Sequence, residues 1–297
     1  MPGTFLGART LVLLAIGVAA VSLAAPLMAS LVVPPLAIAF WRNALATAAI
    51  APVAVVSRSA ELRSLDSRQL LALVAAGLCL ASHFGFWVTS LTMTSVSSST
   101  AIVSLQVIWV VGYDVARGAT LGRRVLLGVL VAVLGAVVVS GVDLSISSRA
   151  LAGDGLALLG SVGVAAYAVI GGRVRQSVST TSYTFGCYGT AAVALLVAAL
   201  LRGQPLTGYA AHQWVLLGVL AATAQLLGHS VFNHLLDRVT PMVVSLAILL
   251  EIPGASLIAA AWLGQVPDAG ALIGLVLVLV GMATVIRGGQ PSVEVPA

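Results

Sequence analysis

Shifted by 146 residues, the sequence lies over itself without a gap. IGVAAVS at 16–22 falls on VGVAAYA at 162–168, and LLALVAAGLCLASHFGF at 70–86 falls on LLGVLAATAQLLGHSVF at 216–232. In the longer pair Leu70, Leu71, Ala75, Ala76, Leu80, His83 and Phe86 each meet an identical residue. Thr94, Ser99, Ala101 and Ile102 fall on Thr240, Ser245, Ala247 and Ile248, and Gly128 and Gly135 fall on Gly274 and Gly281. Alanine-rich composition inflates matches of small apolar residues, but it does not produce coincident histidines, serines and glycines. The chain is a tandem duplication, with units at 1–146 and 147–292 and a short tail at 293–297 expected in the cytoplasm.

Each unit is too apolar to be solvated. Hydrophobic residues make up 60% of the chain and charged ones 8%, with a mean hydropathy of +1.12; a soluble domain carries about 25% charged residues. A bilayer-spanning helix needs roughly 20 predominantly apolar residues. Ten runs meet that length: 10–30, 34–56, 68–91, 95–116, 123–141, 154–172, 181–201, 212–236, 240–263 and 268–287. A transmembrane barrel would instead show alternating segments of about 10 residues. The first run resembles a secretory signal, with Arg9 before it and small residues near Ala24 and Ala25. Its repeat counterpart lies mid-chain and cannot be one, so the first run is read as a helix.

Five spans per unit is an odd number. The second unit must therefore enter the membrane from the opposite side, and the two units are related by a pseudo-twofold axis in the membrane plane. The expected fold is an all-α integral membrane protein of ten transmembrane helices, arranged as a 5+5 inverted-topology repeat. That architecture recurs in secondary transporters, whose substrate site lies near the midplane at the repeat interface.

Charge gives the orientation. All fourteen basic side chains are arginines. Eleven of them (Arg9, Arg58, Arg63, Arg68, Arg117, Arg123, Arg124, Arg173, Arg175, Arg238 and Arg287) belong to one side of the expected topology, against Arg149 and Arg202 on the other. Arg42 lies inside a span. Positive residues accumulate on the cytoplasmic side, which places both termini in the cytoplasm and the loop 142–153 outside. The basic residues are dispersed and lack interleaved aromatics, which argues against nucleic acid as a partner. Cys79 and Cys187 sit within apolar runs and suggest neither a disulfide framework nor a metal site. No cofactor is expected, and no glycine-rich nucleotide loop points to direct use of ATP.

Polar groups at membrane depth are costly and usually face a protein interior or a cavity. His83 and Trp87 are four apart, on one helical face; Gln225, His229 and Asn233 repeat at the same spacing and form a polar stripe. By inverted symmetry the two histidines sit at mirrored depths, bracketing the midplane of a cavity lined by the third, fourth, eighth and ninth spans. The alternative is that each staples helices by bonding a backbone carbonyl. Tyr167, in the repeated GVAA phrase, is expected close by. Glu251 lies near the middle of its span beside Pro253, whose missing N–H frees the carbonyl of Leu249 and should kink the helix. Its carboxyl could bind a substrate ammonium, carry a proton, or pair with Arg42. Ser99 and Ser245, repeat partners, either pack helices or line the cavity entrance. Trp41, Trp214 and Trp262 read as interfacial anchors. Gly128, Ala132 and Gly135, with Gly274 and Gly281, mark close helix packing, within one chain or between protomers.

The second span, LAIAFWRNALA, carries its intramembrane arginine at Arg42. The ninth and tenth read MVVSLAILLEIPGASLIAAAWLGQVPDAGALIGLVLVLVG. In these segments, and in its five-plus-five plan, the chain resembles the EamA-type transporters of the drug/metabolite transporter superfamily, most of all their amino-acid exporter branch. The resemblance implies export of amino acids, neutral or aromatic, across a bacterial cytoplasmic (inner) membrane, by a monomer or weak homo-oligomer with gradient coupling, for instance to protons, or plain facilitation. It also implies a structural role for Arg42, which recurs in the family whatever the substrate. One departure stands out: the family often closes the ninth span with Leu-Gly-Glu, and here Leu263 and Gly264 precede Gln265. If that glutamate braces a helix end, another contact must do so here.

The alternatives are an intramembrane enzyme, a channel or scaffold, and a transporter of another metabolite class such as nucleotide-related or drug-like compounds. An enzyme would want paired carboxylates, a Ser/His pair with an orienting acid, or a metal cluster, and none of these motifs is present. The partners expected are therefore a small-molecule substrate and the lipid bilayer.

Overall fold

The computed structural model describes residues 7–141 and 147–288. The expected tail at 293–297 and residues 142–146 of the expected outer loop lie outside the described residues. Ten helices among the described residues are long and apolar enough to cross a membrane. They are α1 (Ala8–Ser30), α2 (Pro35–Ser57), α3 (Ser67–Ser90), α4 (Val96–Ala116), α5 (Arg123–Ser140), α6 (Ser148–Val174), α7 (Thr180–Leu201), α8 (Ala211–Leu235), α9 (Pro241–Leu263) and α10 (Ala269–Arg287). A short helix, Ser59–Ser64, follows α2. The outer surface is apolar: Leu71, Leu127, Val215 and Ile273 are each more than half exposed, as only a lipid environment tolerates on this scale.

Most boundaries fall where apolar run length puts them, and local chemistry fixes the ends. Asp66 accepts the Gln69 N–H at 2.8 Å while the Gln69 side chain accepts the Asp66 N–H at 3.0 Å, a capping box opening α3. Ser95, Ser179 and Thr240 cap α4, α7 and α9 through their own hydroxyls. The exception is α6, which begins at Ser148 rather than at residue 154. Ser147 caps it by accepting the Ala150 N–H, and the polar side chains Arg149, in the extra turns, and Asp154, just after them, find partners. Arg149 donates to the Thr92 carbonyl at 2.8 Å, and Asp154 accepts from Ser98 at 3.1 Å.

Packing obeys a two-fold rule. The helices of the pairs α2 and α7, α4 and α9, and α5 and α10 are repeat partners that pack on each other, while α1 packs on α8 as α6 packs on α3. The α5–α10 seam shows the symmetry at atomic scale. A Cβ on Gly128 would lie 2.7 Å from the Gly281 carbonyl oxygen, and one on Gly135 would lie 2.6 Å from that of Gly274. Exchanging each residue for its repeat partner turns the first contact into the second, the signature of a two-fold interface. The residue numbers run in opposite directions, so the helices are antiparallel. These small residues thus join the two halves of one chain, which answers the alternative of a contact between protomers.

The loops follow the same exchange. After α2, Glu61 accepts from the N–H and hydroxyl of Ser179, both at 2.6 Å, and from Ser182 at 3.0 Å, bracing the start of α7. After α7, Gln204 accepts the Leu36 N–H at 3.0 Å at the start of α2. Gln265, where the resembling family often carries glutamate, accepts the Val96 N–H at 3.1 Å at the start of α4. The glutamine performs the bracing itself. Trp41 and Trp214 pack edge to face at 4.9 Å, and the Trp41 indole donates to the Leu206 carbonyl, so these two rings tie α2 to α8 and the loop before it.

Candidate functional site

Three spans are interrupted near their middles. In α1 the helix breaks at Leu23, where Pro26 leaves the carbonyl of Ser22 without its usual partner. In α9 it breaks at Leu249 and Leu250, where Pro253 does the same to Leu249, as its position in the sequence predicts. In α4 it breaks at Leu105, with no proline nearby. Leu105 is the repeat partner of Glu251, the first helical residue after the α9 break, so α4 and α9 break next to matched places. A fourth helix, α8, contains a π-helical stretch, Ala221–His229.

That π stretch dissolves the expected stripe. Bonding from i to i+5 widens the turn, so residues four apart no longer share a face. Gln225 turns to α2, where its side-chain oxygen accepts from Arg42 Nε at 2.9 Å and its amide donates to Asn43 at 3.1 Å. His229 points to the centre. Asn233 accepts the Tyr167 hydroxyl at 2.6 Å and its amide reaches Tyr188 at 3.4 Å. Tyr167 also stacks on Tyr183, with centroids 6.0 Å apart. Arg42 is fully buried, with its guanidinium 3.8 Å from the centroid of Phe84 and Nη1 on the Met28 sulfur at 3.4 Å. It thereby links α1, α2, α3 and α8. No ion pair joins it to Glu251 among the described residues.

The centre holds a cavity of about 20 Å³. His83, Trp87, Ser104, Gln106, His229 and Glu251 line it, with apolar walls from α1, α4, α6 and α9. A space of 10–15 Å³ suffices for one water, so in this conformation the cavity takes a group of about that size and no whole amino acid. His83 stacks on Trp87 at 5.3 Å, and its Nδ1 lies 3.0 Å from the Gly160 carbonyl. The two histidine rings are 6.4 Å apart. They meet across one small space instead of bracketing a long one.

Gln225 and Tyr167 do not line this cavity. Nor do Ser99, which hydrogen-bonds Ser90 at 2.6 Å, and Ser245, which is buried with no partner for its hydroxyl. Ser104 and Gln106 do, although they are not among the candidates read from the sequence. Gln106 carries the right signal, a lone amide inside the apolar run 95–116. The lining is chemically unfinished: Trp87 Nε1, Ser104 Oγ, Gln106 Oε1 and Glu251 Oε1 are all buried without a hydrogen-bond partner. Such atoms are rare in folded proteins, and four of them belong to the lining of one cavity.

Comparison with known proteins shows the family. The model of the EamA-like transporter family matches twice, over residues 6–141 and 151–287. The chain belongs to the EamA-like transporter family. No curated protein sequence matches it. Among solved structures, 29 chains are similar. One, described only as "Crystal structure of protein", superposes with a TM-score of 0.73 at 16% identity, covering 93% of this chain and 96% of its own. At that identity the likeness speaks for the fold alone. As an EamA-like transporter, the protein is a multi-pass membrane protein of two repeated halves, and the unfinished cavity lies between those halves.

Proposed function

We propose that this EamA-like transporter exports amino acids, neutral or aromatic, by alternating access around the central cavity. The observation that carries the reading is the lining itself. An amino acid presents an ammonium, a carboxylate and a side chain, and the cavity offers unsatisfied acceptors, the Trp87 indole donor, two imidazoles and apolar walls. In this reading the small volume belongs to an occluded conformation, and rocking of one half against the other opens the site to either side. Among the expected site residues, His83, Trp87, His229 and Glu251 touch the ligand in this reading. Gln225 and Tyr167 hold the surrounding helices, and Ser99 and Ser245 lie in the segments of α4 and α9 ahead of the breaks. Glu251 is the group through which a proton gradient would act.

Counterflow in proteoliposomes tests the reading. Labelled leucine or phenylalanine should accumulate faster when unlabelled amino acid is loaded inside, and an imposed pH gradient reports proton coupling. Flux without trans-stimulation would identify a channel and sink the carrier mechanism. We also assign the arginine-rich end to the cytoplasm of a bacterial inner membrane, with both termini there. Ser147→Cys should then react with an impermeant maleimide in intact cells; protection at Ser147 with labelling at Ser64→Cys would reverse the orientation.

A further inference from the structure

We infer that Ser104, Gln106 and Glu251 together form a receptor for a primary ammonium, which makes Gln106 and Ser104 specificity-determining residues of the transport site. The inference rests on the amino-acid reading above and adds to it the group that must be present on the substrate and the residues that select it.

The argument begins with the breaks. Interrupting α4 at Leu105 releases Ser104 and Gln106 from regular helical register, and interrupting α9 at Leu249 and Leu250 brings Glu251 in from the opposite side. All three side chains line the same 20 Å³ cavity, and each has one oxygen buried with no hydrogen-bond partner. A primary ammonium carries three N–H donors and is about the size of a water molecule. Number, size and sign agree: three orphan acceptors, space for one small head group and one carboxylate. Arg42, the nearest buried cation, gives Nε to Gln225 and Nη1 to Met28 and lies on the Phe84 ring, while its Nη2 is buried without a hydrogen-bond partner. The remaining polar wall is His83, whose Nδ1 lies against the Gly160 carbonyl, and His229; among the lining residues the Trp87 N–H is the orphan donor that would meet a carboxylate oxygen.

The scaffold is two-fold, but the chemistry is not. Repeat partners of Ser104, Leu105 and Gln106 are Leu250, Glu251 and Ile252. The first half therefore supplies an amide and a hydroxyl and the second a carboxylate, all three to the ammonium, while the Trp87 N–H at the carboxylate end sets the direction of a zwitterion. Unsatisfied buried atoms also destabilise a fold until something fills them, and a residue kept at that cost for binding behaves oppositely to one kept for structure.

The test uses the purified full-length protein and two probes, phenethylamine and its neutral isostere 2-phenylethanol, with binding followed by tryptophan fluorescence. The amine should bind and the alcohol should not. Gln106→Leu and Ser104→Ala should each weaken amine binding by about 10- to 100-fold, the loss expected for one hydrogen bond to a charged group. Both variants should hold or raise the thermal midpoint, because each removes an unsatisfied acceptor. A structural role predicts the reverse, with lowered midpoints and unchanged amine affinity. Equal binding of amine and alcohol, or a sodium ion that binds through Gln106 while amines do not, overturns the receptor. In counterflow, N-acetylphenylalanine competing as well as phenylalanine overturns it too and leaves the transporter reading standing. Amine binding without transport of any amino acid sinks the substrate reading and leaves the ammonium receptor standing.

Discussion

Trp87 and His83 are stacked neighbours on α3, yet they should answer differently to substitution. The Trp87 indole nitrogen is buried and unsatisfied, so Trp87→Phe removes a donor without stranding a partner. Substrate affinity should fall while the thermal midpoint stays near the parental value. The His83 ring is bonded to the Gly160 carbonyl and packed on Trp87 and Phe84. His83→Ala should cost stability as well as transport, about 2 kcal/mol or more from the lost bond and the cavity together. Thermal unfolding in detergent beside initial-rate transport separates the two, and equal effects on both readouts for both variants would contradict this division. At this scale the sequence was only partly legible. His83, Trp87, His229 and Glu251 announce themselves as polar or aromatic groups in apolar runs. The partners of Gln225 and Asn233 do not, because the helical spacing that links them fails wherever a π stretch intervenes, and nothing in ATAQLLGH marks one. Gln106 carries the same signal as the histidines.

Among elements, the spans were readable from run length, and their interruptions only where proline marks them. Pro253 foretells the break in α9, and Pro26 carries the same information for α1. Leu105 carries none, and only comparison with its repeat partner suggests the break in α4. The start of α6 was hidden because Ser148 and Arg149 look too polar for a span, and the Ser147 cap and a bond from Arg149 to the Thr92 carbonyl accommodate them. The brace of Glu61 on α7 lies outside the spans and is open to titration. Partial burial pushes its carboxyl up, but the hydrogen bonds from Ser179 and Ser182, with the nearby Arg58, outweigh this and hold it below its ordinary value of 4.5. A lowered carboxyl pKa contributes stability that is complete above the unfolded value and disappears as pH falls through the folded one. The thermal midpoint of the parental protein should therefore drop as pH falls below about 4, and that of Glu61→Gln should start lower and drop less. Parallel curves for the two proteins would show that Glu61 braces nothing.

For the whole molecule, duplication was the most legible feature, since an odd number of spans per unit leaves inverted symmetry as its consequence. What the sequence could not say was whether the paired glycines face inward or toward another protomer; the α5–α10 seam settles that they join the two halves. Gly135→Ala is the sharpest probe, because its new methyl would sit 2.6 Å from both the Gly274 carbonyl and the Val278 backbone nitrogen. Overpacking of this kind costs about 1–3 kcal/mol. The thermal midpoint should fall, and Gly112→Ala, where a Cβ meets nothing within 4 Å, should leave it in place. Equal midpoints for the two variants would mean that the seam is not close-packed.

The same seam bears on how such a chain could have arisen. Gly128 meets Gly281 and Gly135 meets Gly274, so each half offers the other a copy of its own surface. A polypeptide of one repeat, inserted into the membrane in both orientations, would find this seam ready-made between two separate molecules. Joining the two genes would then add no new contact; it would fix the ratio of the two orientations at one to one. It would also free each half to change alone, and the meeting of Gln106 from one half with Glu251 from the other is such a departure from sameness.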